Sequence, residues 1–252
     1  MFNPDVQILV LDFDGVLADS IAECLVVGQN AYVRHTGQGH FMSSLEDLGP
    51  ERFAEGRRLR NFIRAGQDYV YIHMAIDKHV KIETQAEYDA FTQEHADLFD
   101  TFFHLFYQER QRLLDEQPAV WNSLNPLYRG IAPFLNAFVP KESLFIATTK
   151  KVEYAIEILK SNHIQLIESQ IFHANKAYPK AQIVTEIAES RSKEISKVVF
   201  IDDQVDTLIK VQPTGVQCLL ATWGYNNDEQ RRKSLDYGIG HLSLHDFIRM
   251  NC

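Results

Sequence analysis

The sequence predicts an α/β fold, a doubly wound parallel sheet that is interrupted by an inserted all-helical domain. Short apolar runs recur along the chain, and each stops abruptly at polar residues. In the second half of the chain, these runs alternate with segments in which apolar residues recur every three or four positions. Strands that alternate with amphipathic helices are typical of parallel sheets covered by helices on both faces. Near the N-terminus, by contrast, a long segment carries only the helical repeat.

Four apolar runs are predicted as strands of this sheet. Their apolar residues are nearly consecutive, as expected for strands that are buried on both faces. The runs are Val6 to Leu11, Leu144 to Ala147, Val198 to Ile201 and, more weakly, Gln217 to Ala221. Helices are predicted between them over Val152 to Leu159 and Ala181 to Ala188, where the apolar spacing is helical.

Residues 20–125 are predicted as a separate helical domain. The segment contains long helical patterns, such as the apolar stripe from Tyr88 to Phe106, and no convincing strand. It is too long to be a single loop in a compact domain. Pro118 and the pair Asn125-Pro126 mark its end. The predicted organisation is therefore an α/β core of residues 1–19 and 126–252 with a helical cap domain of residues 20–125.

Composition narrows the classes of partner. The formal net charge is -9, which disfavours nucleic acid because its phosphates would be repelled. A small anionic substrate would need a local cation. The three cysteines are scattered without CxxC spacing, which favours a reducing cytoplasm. The apolar run before Asp12 is too short for a signal peptide or membrane span, so no membrane association is expected. The oligomeric state is open between monomer and homodimer.

Polar residues follow the predicted strands at the edge of the sheet where parallel α/β sheets place their ligands. These candidate site residues are Asp12, Asp14 and Gly15 after the first strand, Thr148 and Thr149 after the second, and Asp202 and Asp203 after the third. Lys176 precedes the helix predicted from Ala181, with Lys180 nearby as the alternative lysine. We expect all of these residues to meet at one place.

The residue types at this edge suit phosphoryl transfer, which needs a nucleophile, a proton donor and cations around the transferring group. Asp12 and Asp14 would lie on the same side of an extended chain, so one could attack while the other handles protons. Clustered carboxylates repel one another and favour a hard cation such as Mg²⁺. Lys176 would supply a fixed positive charge and Thr148 a hydroxyl donor, while Gly15 allows a ligand to approach closely.

The motifs and their order resemble those of the haloacid dehalogenase-like hydrolase superfamily, in the phosphoglycolate phosphatase-like branch with a helical cap. The resemblance rests on Asp12-Phe13-Asp14-Gly15, Thr148-Thr149-Lys150, Lys176-Ala177-Tyr178-Pro179, Asp202-Asp203 and Trp223-Gly224-Tyr225. It implies a Rossmann-like core and an Mg²⁺-dependent phosphatase that acts on a small phosphorylated metabolite.

The same resemblance implies a role for each site residue. Asp12 would attack phosphorus, form an aspartyl-phosphate and bind Mg²⁺. Asp14 would be the general acid and then the base, and would give its backbone carbonyl to the metal. Asp203 would be a metal ligand, and Asp202 either a ligand or an acid behind the ligands. Because dehalogenases of the superfamily lack the second aspartate, Asp14 favours phosphoryl transfer.

Lys176 and Thr148 would hold the phosphate, together with Gly15 and Thr149. Ala177 stands where proline is usual, which keeps Lys180 open as the alternative lysine.

A later acid of the fourth motif is replaced by Thr207, and whether Asp206 substitutes for it is open. Whether arginines of the helical segment contact an anionic substrate is also open. They are Arg52, Arg57, Arg58, Arg60 and Arg64. Two other functions stay open beside the phosphatase: a phosphosugar mutase of the same fold, and a catalytically idle binding or regulatory member.

Overall fold

The computed structural model describes residues 7–250, which form two compact units. Of the described residues, 7–19 and 127–250 belong to the first, here called the core unit, and 20–126 form the second, the helical unit. The boundary after residue 126 lies one residue beyond the predicted one. The role of the helical unit as a cap domain stays a prediction.

The helical unit contains seven α-helices among the described residues. Their bounds are α1 Ile21–Thr36, α2 Leu45–Leu48, α3 Pro50–Leu59, α4 Asp68–Asp77, α5 Gln85–Glu94, α6 Phe99–Glu116 and α7 Pro118–Ser123. Helix α1 packs against α4 and α6. This packing buries a hydrogen-bonded ion pair, in which Arg110 donates to both carboxylate oxygens of Glu23 at 2.8 Å.

The aromatic stripe predicted from Tyr88 to Phe106 is not one continuous helical face. Helix α5 ends at Glu94, and a short 3₁₀ turn over residues 96–98 separates it from α6. Phe102 and Phe106 are fully buried, whereas Phe99 and Phe103 are exposed. The helix is therefore interrupted although the spacing in the sequence is regular. Only part of the stripe belongs to the core of the helical unit.

At least three of the arginines considered as substrate contacts have partners inside the helical unit, among them Arg64, which donates to Gln85 at 2.9 Å. Arg52 donates to Gln29 at 2.8 Å and lies 3.2 Å from Nδ1 of His73, and it also forms an ion pair with Asp77. Arg58 pairs with Glu55 at 2.6 Å, one turn earlier on α3.

The core unit is built on one parallel sheet. Its strands are β1 Ile8–Leu11, β2 Leu144–Thr148, β3 Ile171–His173, β4 Val198–Asp202, β5 Gln217–Ala221 and β6 Gly240–Leu242. The spatial order is β3-β2-β1-β4-β5-β6, and all neighbours are parallel. Helices of the core unit are α8 Ile131–Ala137, α9 Val152–Ser161, α10 Lys180–Ser190, α11 Val205–Val211, α12 Asp228–Asp236 and α13 Leu244–Phe247.

The strand order reverses direction between β1 and β4. Right-handed crossovers place helices on opposite faces of the sheet on either side of such a switch point. On one face, Ile183 and Val184 of α10 and Leu208 of α11 pack against Val10 and Phe200 in a shared apolar cluster. The predicted fold class, an α/β protein with a parallel sheet, is confirmed.

The predicted strands are found, and two further strands extend the sheet. The second, third and fourth predicted runs correspond to β2, β4 and β5. The first run begins as a strand at Ile8, and Val6 lies outside the described residues. The sequence did not predict β3 and β6, which have three residues each and end the sheet on its two sides. Over residues 7–250, the structure contains no helix that is both long and apolar enough for a membrane span.

Candidate active site

Strand pairing brings two acidic segments together at the switch point. Leu11 of β1 lies in register with Ile201 of β4, and the backbone N–H of Asp12 donates to the carbonyl of Ile201 at 2.9 Å. Asp12 therefore begins where β1 ends, beside Asp202 at the end of β4. Ligands bind at this position in open α/β sheets, outside the carboxyl ends of the strands.

Three carboxylates meet there. Asp12, Asp202 and Asp203 each place one oxygen atom within 4.8 Å of the others. Asp12 is 7% exposed, and the other two side chains are fully buried. Ionised carboxylates so close together repel one another in a buried site, so the arrangement requires cations.

One cation is Lys180, the first residue of α10. Its ammonium nitrogen lies 2.9 Å from Oδ1 of Asp12 and 2.7 Å from Oδ2 of Asp202. The lysine is itself buried. It connects the nucleophile predicted on β1 with the acid at the end of β4.

Of the two candidate lysines, the structure places Lys180 and not Lys176 at the acids. Lys176 is exposed, and the ion pairs of the described residues do not join it to the cluster. Its position follows from the turn that precedes α10, where Oδ1 of Asn175 accepts hydrogen bonds from the N–H groups of Ala177 and Tyr178 at 2.9 Å. The signal for Lys180 was its place directly after Pro179, at the start of a helix that follows a strand.

Burial and neighbouring charges shift the pKa values of Asp12 and Lys180. Burial raises the pKa of Asp12 to about 6, Lys180 opposes the rise, and the charge of Asp202 adds to it. Burial acts to lower the pKa of Lys180, but the charges of Asp12 and Asp202 outweigh it and hold that pKa above its usual value. Lys180 is thus a permanent cation, whereas Asp12 becomes ionised only as pH rises through about 6.

A second lysine binds Asp14. The Lys150 ammonium nitrogen lies 3.0 and 3.3 Å from the two carboxylate oxygens of Asp14, and the lysine side chain is 1% exposed. The Asp14 side chain therefore contacts a cation of its own, outside the group of three carboxylates. The sequence motif Thr148-Thr149-Lys150 contained this lysine, but its chemistry was not predicted.

The two threonines predicted to bind phosphate differ in exposure. Thr148 is the last residue of β2, beside β1, and its buried hydroxyl oxygen accepts the backbone N–H of Lys150 at 3.1 Å. Thr149 is exposed. The turn that begins at Thr148 thereby brings Lys150 towards Asp14.

Gly15 allows Asp203 to approach the first motif. Its φ angle is +87°, and a Cβ atom at this position would collide with Oδ2 of Asp203. Gly224 lies equally close to Asp203. A Cβ atom added at Gly224 would collide with Cβ of Asp203 and with the carbonyl oxygen of Gly15. The backbone N–H of Tyr225 donates to Oδ2 of Asp203 at 2.6 Å. The predicted close approach at Gly15 is thus made by a site aspartate.

Asp206 has a different partner. It lies on α11, and its carboxylate pairs with Lys233 of α12 at 2.7 Å. The group of three carboxylates found among the described residues does not include it. Thr207, at the position of the usual later acid, follows it on the same helix.

The donor set fits a hard divalent cation. The described site contains four carboxylates, Asp12, Asp14, Asp202 and Asp203, and two ammonium groups, Lys150 and Lys180. If all are ionised, two negative charges remain in a largely buried place. Mg²⁺ prefers oxygen ligands and carries the charge that balances this excess.

Comparisons with known proteins agree with this architecture. No protein-family model matches the chain. The chain is 23% identical over 234 residues to a curated phosphoglycolate phosphatase of Vibrio parahaemolyticus, covering 91% of this chain and 89% of that protein.

Solved structures are similar along almost the whole chain. A haloacid dehalogenase-like hydrolase family protein from Streptococcus pneumoniae has a TM-score of 0.58 at 16% identity, with coverage of 96% of this chain and 95% of that one. A haloacid dehalogenase family hydrolase from Deinococcus radiodurans, solved with bound phosphate and sodium, has a TM-score of 0.55 at 14% identity and covers 98% and 95%. The predicted resemblance is confirmed at the level of the fold and of a distant sequence relationship.

Proposed function

With the fold and the sequence relationships of the haloacid dehalogenase-like hydrolases as the premise, we propose that this chain is an Mg²⁺-dependent phosphatase. It hydrolyses a small phosphate monoester through an aspartyl-phosphate on Asp12. The observation that carries the proposal is the buried group of Asp12, Asp202 and Asp203 with Lys180 between two of them. Such a group combines a carboxylate nucleophile with the cations that phosphoryl transfer requires.

In the first step, a carboxylate oxygen of Asp12 attacks phosphorus and the bond from phosphorus to the ester oxygen breaks. The leaving alkoxide takes a proton from Asp14. In the second step, water attacks phosphorus of the aspartyl-phosphate, Asp14 takes a proton of that water, the bond from phosphorus to the Asp12 oxygen breaks, and inorganic phosphate leaves. Two easier displacements replace one difficult hydrolysis. Asp14 is half-buried, so a substrate oxygen can reach it.

Lys150 fixes the position of the Asp14 carboxyl group. Its ammonium group contacts both carboxylate oxygens of Asp14. The acid is thereby held in place outside the group of three carboxylates. The resemblance also supports this assignment, because the second aspartate separates phosphatases from dehalogenases in the superfamily.

Mg²⁺ would be held by side-chain oxygens of Asp12, Asp202 and Asp203, and by the backbone carbonyl of Asp14 as the resemblance implies. When bound, it neutralises the acids and the phosphate and favours the ionised form of Asp12. Since the pKa of Asp12 in the metal-free chain is raised to about 6, a bound cation would favour loss of the Asp12 proton at pH values near 6. A Deinococcus structure of the same fold contains phosphate and sodium.

Phosphate oxygens would be bound by Lys180 and by groups of the turn after β2, including Thr148 and Thr149. Lys180 replaces Lys176 in this proposal because it contacts Asp12. Gly15 would act through its backbone, which brings Asp203 to the first motif.

The substrate is proposed as a small phosphorylated metabolite, and residues 20–125 are proposed as the cap domain that contributes specificity. The Vibrio relative is named a phosphoglycolate phosphatase, so phosphoglycolate is the first ester to test. A cytoplasmic location is part of the proposal, since a reducing compartment suits the buried free thiols of Cys24 and Cys218.

The test is phosphate release from a panel of small phosphate esters, with Mg²⁺ and with a chelator. Wild type is compared with Asp12→Asn and with Asp206→Asn, a matched change at an aspartate that pairs with Lys233. We expect Mg²⁺-dependent release by wild type and Asp206→Asn, and none by Asp12→Asn. Equal release by Asp12→Asn in a clean preparation would overturn the proposal.

Two further results would identify the other functions. Interconversion of hexose phosphates without phosphate release would identify a mutase of the same fold. Metal binding without turnover of any ester would identify a binding or regulatory member.

A further inference from the structure

Asn226 contacts the backbone of Asp203, and its side chain is held by three hydrogen bonds. Its amide nitrogen donates to the backbone carbonyl of Asp203 at 3.1 Å and to the carbonyl of Ala221 at 2.9 Å. Its amide oxygen accepts Nε–H of Arg231 at 2.7 Å. The side chain is buried. Since two carbonyl groups require the nitrogen and a guanidinium requires the oxygen, the amide has only one satisfactory orientation.

Arg231 closes the loop that contains Asn226. Besides the bond to the Asn226 side chain, Nη2 donates to the carbonyl of Thr222 at 2.9 Å. The planar guanidinium therefore connects α12 with both ends of the segment 222–226. A lysine could not reproduce these bonds, because its ammonium group is a single point of donation.

The same loop touches the Asp203 side chain. Tyr225 donates its backbone N–H to Oδ2, and Gly224 leaves no room for a Cβ beside Asp203. The backbone carbonyl and the carboxylate of Asp203 are thus held by neighbouring residues of one loop. A shift of this loop would move the carboxylate relative to Asp12.

We propose that Asn226 and Arg231 are positioning residues that hold Asp203 in the geometry needed to bind a divalent cation. This inference rests on the proposed function, since it concerns the metal site of that function. Arg231 acts through Asn226, and Asn226 acts through the Asp203 backbone and the loop. Partners that orient a metal ligand commonly contribute 10- to 100-fold in metal affinity.

The alternative is that the two residues only stabilise the loop. A stabilising role would lower the unfolding temperature of the variants but leave the metal affinity of the folded protein unchanged. A positioning role lowers the affinity of protein that remains folded. The two measurements together separate the roles.

The experiment titrates Mn²⁺ into metal-free protein without substrate, by calorimetry, and records thermal unfolding in chelator. Asn226→Asp keeps the shape and the acceptor for Arg231 but removes both donors. Arg231→Met removes the guanidinium, and Arg231→Lys keeps only its charge. Lys233→Met is the matched control, since Lys233 lies on the same helix and pairs with Asp206.

We expect Mn²⁺ affinity to fall about 10- to 100-fold in Asn226→Asp and Arg231→Met. The Mn²⁺ affinity of Arg231→Lys should fall to a similar extent, and that of Lys233→Met should remain close to wild type. If Asn226→Asp does not fold, the two Arg231 variants decide the outcome.

If the folded variants bind Mn²⁺ with wild-type affinity, with or without a lower unfolding temperature, the positioning role is wrong. That result would leave the proposed function untouched. If wild type itself does not bind Mn²⁺, the proposed metal site fails, and the inference fails with it.

Discussion

The ammonium nitrogen of Lys180 lies 2.9 Å from Oδ1 of Asp12. Removal of this cation should leave the buried carboxylates repelling each other and remove a charge that would stabilise the transferring phosphoryl group. We expect Lys180→Met to lower the turnover of phosphate esters by about 100-fold or more, as for other groups that stabilise developing charge.

Lys176→Met provides the matched control for Lys180→Met. It is the same substitution at an exposed position four residues earlier, and its turnover should stay near that of wild type. Circular dichroism would verify that both variants are folded. A large loss in Lys176→Met, with normal turnover in Lys180→Met, would restore the original assignment.

The raised pKa of Asp12 makes the metal-free protein sensitive to pH. The folded state holds the Asp12 proton up to a pKa of about 6, whereas the ordinary value is 3.8. The stabilisation of the protonated form is therefore complete below pH 3.8 and is lost as pH rises through 6. In chelator at pH 7.5, Asp12→Asn should be more stable than wild type by roughly 1–3 kcal/mol. Urea denaturation at pH 5 and pH 7.5 measures the difference, which should shrink at the lower pH.

The same shift predicts how metal binding depends on pH. Because a cation requires the ionised carboxylate, Mg²⁺ binding should release protons and weaken below pH 6. Calorimetry in two buffers with different ionisation enthalpies counts the released protons. Constant affinity between pH 5 and pH 7.5 would show that Asp12 is not a ligand.

Gly15→Ala should damage the metal site. The new Cβ would collide with Oδ2 of Asp203 and lie 2.8 Å from the Tyr225 ring. Gly238→Ala is the control, since Gly238 also has positive φ but no neighbouring atom within 4 Å. Both variants carry a backbone cost of about 1 kcal/mol. Only Gly15→Ala should also lose Mn²⁺ affinity, and equal affinities in the two variants would contradict the close approach.

His73 should make the helical unit sensitive to acid. Burial and, to a smaller extent, the charge of Arg52 lower the pKa of His73 to about 3. Nε2 lies 2.8 Å from the carbonyl of Leu25, so the neutral ring donates there and accepts from Arg52. Its contribution to stability is complete above the unfolded pKa of about 6.5 and is lost as pH falls towards 3.

Between pH 7 and pH 5, wild type should lose about 2 kcal/mol of stability through His73. His73→Gln should remove this pH dependence, because its amide does not titrate in the range. His40→Gln, at an exposed histidine, should behave like wild type. Urea denaturation at the two pH values tests all three proteins. If His73→Gln loses as much stability between the two pH values as wild type, the mechanism is ruled out.

The buried ion pair between Glu23 and Arg110 of the helical unit should have a large coupling energy. Arg110→Met leaves the carboxylate of Glu23 fully buried without its guanidinium partner. We expect a loss of about 3–5 kcal/mol, and a much smaller loss when Glu23→Gln is added. A double-mutant cycle by urea denaturation measures the coupling, and additive single losses would exclude it.

Much of the core unit follows from short-range sequence patterns. β2 and β4 are buried along their whole length, so their apolar runs are continuous and visible in the sequence. β3 and β6 lie at the edges of the sheet. They are short and contain exposed or half-buried residues such as His173 and Gly240, so their pattern resembles that of a loop.

The site is only partly visible in the sequence for a different reason. Asp12, Asp202 and Asp203 are adjacent to strand ends, and strand order then brings them together. The partners Lys180 and Lys150 depend on turns whose shape is set by hydrogen bonds such as those of Asn175 and Thr148. Neither turn has a periodic pattern that would reveal where a side chain points.

The sheet order has a consequence for the biosynthesis of the protein. On the ribosome, β1 emerges before the helical unit, whereas its partner residues Leu144 and Val198 emerge after that unit. The helical unit is contiguous and can complete its own core while β1 has no neighbour. Long-range parallel pairing of this kind is slow to form. A nascent chain therefore contains Asp12 before the helical unit is made and acquires Lys180 and Asp203, which would activate it, only after that unit.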